Sequence, residues 1–367
     1  MMKGSERCSY KGSNQTVRQK VWQRAKRLLQ TAICSGILCA LMGAASGKPL
    51  YAADTLYVNC DVVRGRSSAE IRDDNITARF YRGEELTKVS SEGEWTKVQS
   101  GGKSYYVASR YLSETKLSEA VAMSSVWKYA GFSKINSGQA MLCRTNAADK
   151  KNKTVCVNAG HGTSGGSSVK TLCHPDGSPK VTSGTTEAGA TTAVAVSGGM
   201  TFNDGTPEAN VTLQMAKILK ERLLKEGYDV LMIRESEDVQ LDNIARTVLA
   251  NNMADCHIAL HWDSTSSDKG AFYMSVPSNE TYRSMEPVAS HWQSHTHLGN
   301  TLIEGLRSQG VKIFSGGSME MDLTQTSYST IPSVDIELGD KASDHSAETL
   351  SRLADGLAAG VNLFFQK

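Results

Sequence analysis

Thr154-Val155-Cys156-Val157-Asn158-Ala159-Gly160-His161 runs from a short apolar stretch into glycine and histidine, and its reading decides how the chain folds. An apolar run this short, closed by a turn signal, fits a buried strand. Downstream, Glu208 to Glu226 carries Val211, Met215, Ile218, Leu219 and Leu223 at helical spacing, and Gly227 stands where a glycine ends a helix. A strand is predicted over 229–233 and a helix over 241–251 with Ile244, Val248 and Leu249 on one side. A strand over 257–260, a helix over 291–309, a strand over 334–336 and a helix over 347–365 follow. This alternation predicts an α/β domain over residues 153–367, with a mostly parallel sheet and flanking helices.

The N-terminal half reads differently. Leu56-Tyr57-Val58, Glu85–Val89, Trp95–Val98 and Tyr105–Val107 are β-rich, and Gly83, Gly93 and Gly101-Gly102 punctuate them. Short strands at close spacing predict a small all-β barrel over 54–115. It holds no cluster of nucleophile, base and metal ligand, so the chemistry is expected elsewhere. Residues 116–152 show no clear pattern and read as a linker with some helix.

Residues 1–53 begin polar and basic, ending in Arg24, Lys26 and Arg27; 28–45 is free of charge, and Tyr51-Ala52-Ala53 precedes Asp54. These are the parts of an export signal, with a retained membrane anchor as the alternative. Gly36, Gly43, Ser35 and Gln30 weaken the anchor. Either way the rest of the chain is expected outside the cytoplasm.

The 367 residues suit about two domains. An apolar content of 40% with 21% charged residues excludes wholesale disorder. The net charge of +2 hides a split: residues 1–53 hold nine Lys/Arg against one acid, leaving the remainder acidic by six. An acidic body argues against a nucleic-acid partner. Cys156 and Cys256 lie inside apolar runs and are expected as buried thiols. The absence of any CxxC pair argues against a zinc ribbon.

Ligands of open α/β sheets bind beyond the carboxyl ends of the strands. His161, His261 and Glu337 each follow a predicted strand, and Glu208 opens the long helix. Two imidazoles and one carboxylate form the usual three-ligand catalytic zinc set, with a fourth position for water. A second carboxylate serves such a site as proton shuttle. Polar residues at strand ends also occur for structural reasons in any α/β protein, so spacing alone leaves both readings open. His291 and His295 have the i, i+4 spacing of a zinc-binding helix, but Trp292 stands where that motif has its glutamate. With His297, they read as a solvated helix face. Asp335 lies two residues before Glu337, on the same side of a strand. It reads as an outer partner of the site or as an acidic neighbour that raises the pKa of Glu337. Residues 162–207, rich in Gly, Ser and Thr, are too long for a plain connection. They read as a substrate-groove wall or as a disordered segment.

Residues 154–365 resemble the zinc-dependent N-acetylmuramoyl-L-alanine amidases of the type 3 family. Val155–Gly162 resembles the family's strand–Gly–His–Gly opening, with Asn158 where Asp is usual. Glu208-Ala209-Asn210-Val211-Thr212-Leu213 resembles its Glu-led helix, and Leu241, Arg246 and Ala250-Asn251 match the helix before the second histidine. Ala254–His261 fits the Ala-Asp…His segment, with Trp262-Asp263 replacing a small residue and Asn, and Gly270-Ala271-Phe272-Tyr273 follows. Pro332–Gly339 resembles the catalytic-glutamate strand, after which Asp340–Ser343 replaces the usual aromatic-x-x-Asn. The resemblance implies zinc bound by His161, Glu208 and His261, Glu337 as the acid/base, and peptidoglycan as the partner. Its substrate is the amide between the lactyl group of N-acetylmuramic acid and L-alanine. Arg246 is expected in a structural ion pair or as electrostatic support.

Residues 54–115 resemble a bacterial SH3-like domain through Val63-Arg64, Gly83, Trp95-x-Lys97-Val98, Gly102-Lys103, Tyr106-Val107 and Tyr111-Leu112. That implies a hold on cell-wall peptide or glycan; a plain spacer is the alternative. Two further functions stay open: a zinc peptidase with a similar ligand set, and a non-catalytic wall-binding protein.

Overall fold

The computed structural model describes residues 54–366, so the stretch read as an export signal or anchor lies outside the described residues. Strands β1 (Thr55–Val58), β2 (Val62–Arg66), β3 (Ile76–Tyr81), β4 (Glu85–Glu92), β5 (Trp95–Ser100), β6 (Lys103–Ala108) and β7 (Leu112–Ser113) form one antiparallel sheet. Its order is β3-β2-β6-β5-β4-β1-β7. Side chains alternate between faces along each strand, and one set gathers Val58, Val63, Phe80, Leu86, Val98 and Val107 into a core of its own.

The second sheet is mixed, a correction to the expected mostly parallel one. Its strands are β8 (Ser118–Ala122), β9 (Gln139–Cys143), β10 (Thr154–Ala159), β13 (Asp229–Met232), β14 (Cys256–Asp263), β15 (Ala271–Ser275), β16 (Ile313–Glu320) and β17 (Ser333–Asp340). The order is β16-β15-β17-β14-β10-β13-β9-β8. The centre is parallel: β10 pairs with β13 and β14, and β14 pairs with β17. Two things break the pattern. Residues 116–152, expected as a linker with some helix, supply β8 and β9, which pair antiparallel with each other and with β13. Strand β15 follows β14 after only a short connection, too short for a parallel crossover, and runs antiparallel to β17.

Helices cover both faces. Val155 and Val157, Ile258 and Leu260, and Val334 and Ile336 point toward α1 (Glu208–Lys225), α4 (Val288–Ser308) and α6 (Ala347–Phe365); the short α3 (Glu280–Ser284) and α5 (Thr324–Tyr328) precede the latter two. Each such side chain stabilises the fold by roughly 1.5–3 kcal/mol. Val211, Met215, Leu219 and Leu223 of α1 are buried there, as the spacing predicts. Cys156, Leu231 and Ile233 face the other way, onto α2 (Asn243–Met253). Asp242 caps α2, accepting from the Ala245 amide at 2.8 Å. Cys156 and Cys256 are buried free thiols.

Residues 162–207 are ordered, which excludes the disordered reading: β11 (Lys170–Leu172) pairs with β12 (Thr192–Val194). The buried Asp322 fastens this segment, accepting from His174 Nε2 at 3.2 Å, Lys180 Nζ at 2.9 Å and the Val181 amide at 2.7 Å. On α4, His295 is only 2% exposed and accepts the Ser333 N–H at 2.9 Å, so the solvated face expected there fails at His295, while His291 and His297 are half-buried. Lys220 of α1 is fully buried, paired with Asp61 of the first sheet's unit and with Glu235 at 2.8 Å. Arg82 reaches Glu221 of α1 at 2.5 Å.

Candidate active site

Strand alternation places the site on the α2 face of the sheet. With Val155 and Val157 pointing to α1, Asn158 and Gly160 point the other way; so do Ala259 and His261, and Asp335 and Glu337. Register aligns these in two rows: Asn158 beside Ala259 beside Asp335, and His261 beside Glu337. His161 and His261 stand at the carboxyl ends of parallel neighbours, where an open sheet presents its ligands.

His161 sits in the turn after β10 with φ +62, a left-handed backbone unusual for a residue with a side chain. Two buried arginines hold that turn. Arg246 donates to the Ala159 carbonyl at 3.1 Å, the Asn158 Oδ1 at 3.0 Å and the His161 carbonyl at 2.7 Å. Arg234 donates to the Ala159 and Gly160 carbonyls at 3.2 and 2.9 Å. Neither guanidinium has a carboxylate within ion-pair distance among the described residues, so Arg246 is not in the expected structural ion pair. Burial pushes both down, Arg234 to about 10 and Arg246 to about 9.

The ligand-type atoms of His161, Glu208 and His261 all lie within 4.8 Å of one another. His161 Nε2 is 2.9 Å from Glu208 Oε1, and His261 Nδ1 is 3.0 Å from His161 Nε2 and 3.2 Å from Glu208 Oε1. Each is oriented from behind. His161 turns Nδ1 to the Ser197 carbonyl at 2.9 Å, leaving Nε2 for the cluster. Glu208 accepts from the Met200 amide on Oε2 at 2.9 Å and from the Trp262 amide on Oε1 at 3.0 Å. The His261 ring packs on bare backbone, where a Cβ at Gly160 would come 2.2 Å from its Cε1. Gly199, at φ +82, closes the other side; a Cβ there would lie 2.8 Å from His161 Cδ2 and 3.0 Å from Glu208 Oε2.

The charges fit a cation. Burial opposes ionisation of Glu208, yet hydrogen bonds from His161 and His261 hold it well below the usual carboxylate range. Burial likewise opposes a charged His261, yet Asp335, Glu208 and Glu337 hold it up to about 10. Two nitrogens and an oxygen converge on one point that calls for positive charge. Glu337 is 8% exposed, and its Oε2 has no hydrogen-bond partner among the described residues. Burial first, then Asp335, raises it well above the normal range. The site opens into a cavity of about 560 Å³, large enough for a small organic ligand. Thr185, Val196 and Gly198 of the 162–207 segment line it, so that segment is a wall of the groove.

The structure thus brings together all four residues singled out in the sequence. It adds Ser197, Gly199 and Met200, which sequence reasoning missed; the only signal was the length of the segment between two ligand candidates.

Residues 155–361 match the family profile for N-acetylmuramoyl-L-alanine amidase (Amidase_3). No curated protein matches the chain. Among solved structures, the N-acetylmuramyl-L-alanine amidase Ami1 from Mycobacterium smegmatis is similar at 16% identity, covering 59% of this chain and 99% of that one, with a TM-score of 0.49. Ami1 from Mycobacterium abscessus is 19% identical over 58% of this chain and 98% of that one, TM-score 0.46. An N-acetylmuramoyl-L-alanine amidase from Clostridium difficile 630 is 18% identical over 60% and 97%, TM-score 0.42.

Proposed function

This chain belongs to the N-acetylmuramoyl-L-alanine amidase family, and on that premise we propose that it is a zinc-dependent hydrolase of the amide between N-acetylmuramic acid and L-alanine in peptidoglycan. The observation that carries the reading is the convergence of His161, Glu208 and His261 donors beside a Glu337 carboxyl whose Oε2 has no hydrogen-bond partner among the described residues. Two imidazoles and a carboxylate, each oriented from behind, suit zinc and leave a coordination position open. His161, Glu208 and His261 are assigned as its ligands. When bound, zinc supplies Lewis acidity, polarising the scissile carbonyl and bringing the pKa of water to around 7.

Glu337 does the proton work. It takes the proton of the attacking water and returns it to the leaving nitrogen, which departs as an amine only once protonated. Its burial, and an Oε2 left without a hydrogen-bond partner among the described residues, suit a group that must change protonation state twice per turnover. Residues 54–115 are assigned as an SH3-like domain holding the wall, 153–367 with the added β8 and β9 as the catalytic domain, and 1–53 as an export signal or anchor. The site of action in this reading is the cell wall, outside the cytoplasm.

Metal analysis together with mass spectrometry of digested peptidoglycan tests it. The expected result is one zinc per chain and stem peptides released with a free L-alanine amino group. Cuts between amino acids would favour the zinc peptidase instead, and no cuts with intact wall binding would favour a non-catalytic protein.

A further inference from the structure

We infer that Asp335 is the positioning residue for His261, fixing which imidazole nitrogen faces the metal. The inference rests on the zinc reading above and goes beyond it. Asp335 and Glu337 alternate along β17 onto one face, and the register puts Asp335 opposite Ala259, two residues before His261 on β14. The small Ala259 side chain leaves room on that row, so the carboxylate reaches diagonally under the imidazole. Asp335 Oδ2 lies 3.6 Å from His261 Nε2, while His261 Nδ1 points at Glu208 and His161.

A neutral imidazole carries one proton, so a ring that offers Nδ1 as a ligand must hold that proton on Nε2. Asp335 is the negative group the structure places at that edge, within ion-pair distance. Its other oxygen, Oδ1, is buried without a hydrogen-bond partner among the described residues. A buried carboxylate oxygen without a hydrogen bond is costly unless positive charge lies close by. The two histidines therefore bind through different nitrogens. His161 presents Nε2 because its Nδ1 faces the Ser197 main-chain carbonyl at 2.9 Å; His261 presents Nδ1 because the Asp335 carboxylate stands 3.6 Å from its Nε2, an ion-pair contact that favours a proton on that nitrogen. Gly160 supports the flat of the His261 ring, and Asp335 sets its rotation. Only the second of these fixed points can be removed by changing a side chain.

The test is zinc affinity of the metal-stripped full chain by chelator competition, together with ¹⁵N imidazole spectra of the zinc-loaded protein. Asp335→Leu removes the acceptor and is expected to weaken zinc binding by about 10–100-fold, the usual effect of losing a ligand's outer partner. The His261 spectrum should shift from a single Nε2–H form to a mixture. Asp335→Asn keeps an accepting oxygen, so its loss should fall short of the leucine variant's. If the leucine variant does not fold, Asp335→Ala, which also removes the acceptor, decides, and wild-type affinity in it overturns the inference. Equal losses in the leucine and asparagine variants with an unaltered His261 tautomer also overturn it, since they mark a merely structural role. A wild-type chain that takes up no zinc overturns the metal reading and this inference together; zinc uptake unaffected by Asp335→Leu overturns this inference alone.

Discussion

Met200 and Glu208 hold each other twice: the Met200 amide donates to Glu208 Oε2 at 2.9 Å, and the Glu208 amide donates to the Met200 carbonyl at 3.0 Å. One bond satisfies an otherwise free N–H at the start of α1, and the other fixes the carboxylate that faces the two imidazoles. The 162–207 segment is thereby part of the site, not an ornament above it.

Gly199→Ala follows from this relationship. The new methyl would collide with His161 and Glu208, and φ +82 is unfavourable for alanine. Zinc affinity is expected to fall by about 10-fold or more, as for other losses of ligand support. The sheet and helices do not touch this position through their cores, so far-UV circular dichroism should stay unchanged. Chelator competition and the spectrum on one preparation check both halves.

Glu337→Gln separates chemistry from metal binding. It preserves shape and removes the proton acceptor, so turnover should drop about 10²–10⁴-fold, the usual scale of general acid–base catalysis. Zinc content should remain near wild type. His261→Ala should lose zinc and activity together. Turnover and bound metal measured on the same samples distinguish the two; zinc loss in Glu337→Gln would make that residue a ligand.

Acid sensitivity has a specific source outside the site. Burial pushes the His257 and His295 imidazoles down, each to about 3, and both Nε2 atoms lack a partner among the described residues. In the unfolded chain these groups titrate near 6.5. Between roughly pH 6.5 and 3 the unfolded state therefore binds protons that the folded state refuses, and stability falls as pH falls. Each imidazole contributes at most about 1.4 kcal/mol per pH unit. Urea midpoints should decline below pH 6.5, and His295→Gln, which keeps an acceptor for the Ser333 amide, should decline less steeply.

Removing residues 54–115 should weaken attachment to intact walls and spare cleavage of small soluble muropeptides. The structure adds a cost. Lys220 would lose Asp61 and Glu221 would lose Arg82, leaving Glu235 as the near partner of a buried ammonium. The truncated protein should unfold at a lower temperature while turning over soluble substrate at a near wild-type rate. Wall pelleting, thermal unfolding and soluble-substrate kinetics are the three measurements. A folded, zinc-loaded truncation that fails on soluble substrate would place the first unit in the active site.

By itself, the sequence determined the elements whose periodicity is strong and local. The α1 stripe of Val211, Met215, Leu219 and Leu223, the strands around Val155, Ile258 and Val334, and the placing of His161 just beyond a strand were all legible. Each depends only on alternation between faces along one segment. His261 and Glu337, expected just past their strands, instead lie within β14 and β17, which run on to Asp263 and Asp340. What tertiary structure decided was everything requiring distant segments to meet. Strands β8 and β9 have no strong pattern of their own and exist because an open edge of the parallel core, at β13, offers hydrogen bonds to them. His295 is buried because α4 lies where its imidazole meets the Ser333 amide, although its spacing reads as a surface face. His161 turns Nε2 and His261 turns Nδ1 to the cluster, with Ser197 behind the one, 36 residues along the chain, and Asp335 beside the other, a strand away. A linear pattern records which way a side chain points, but the partner it meets there is set by packing.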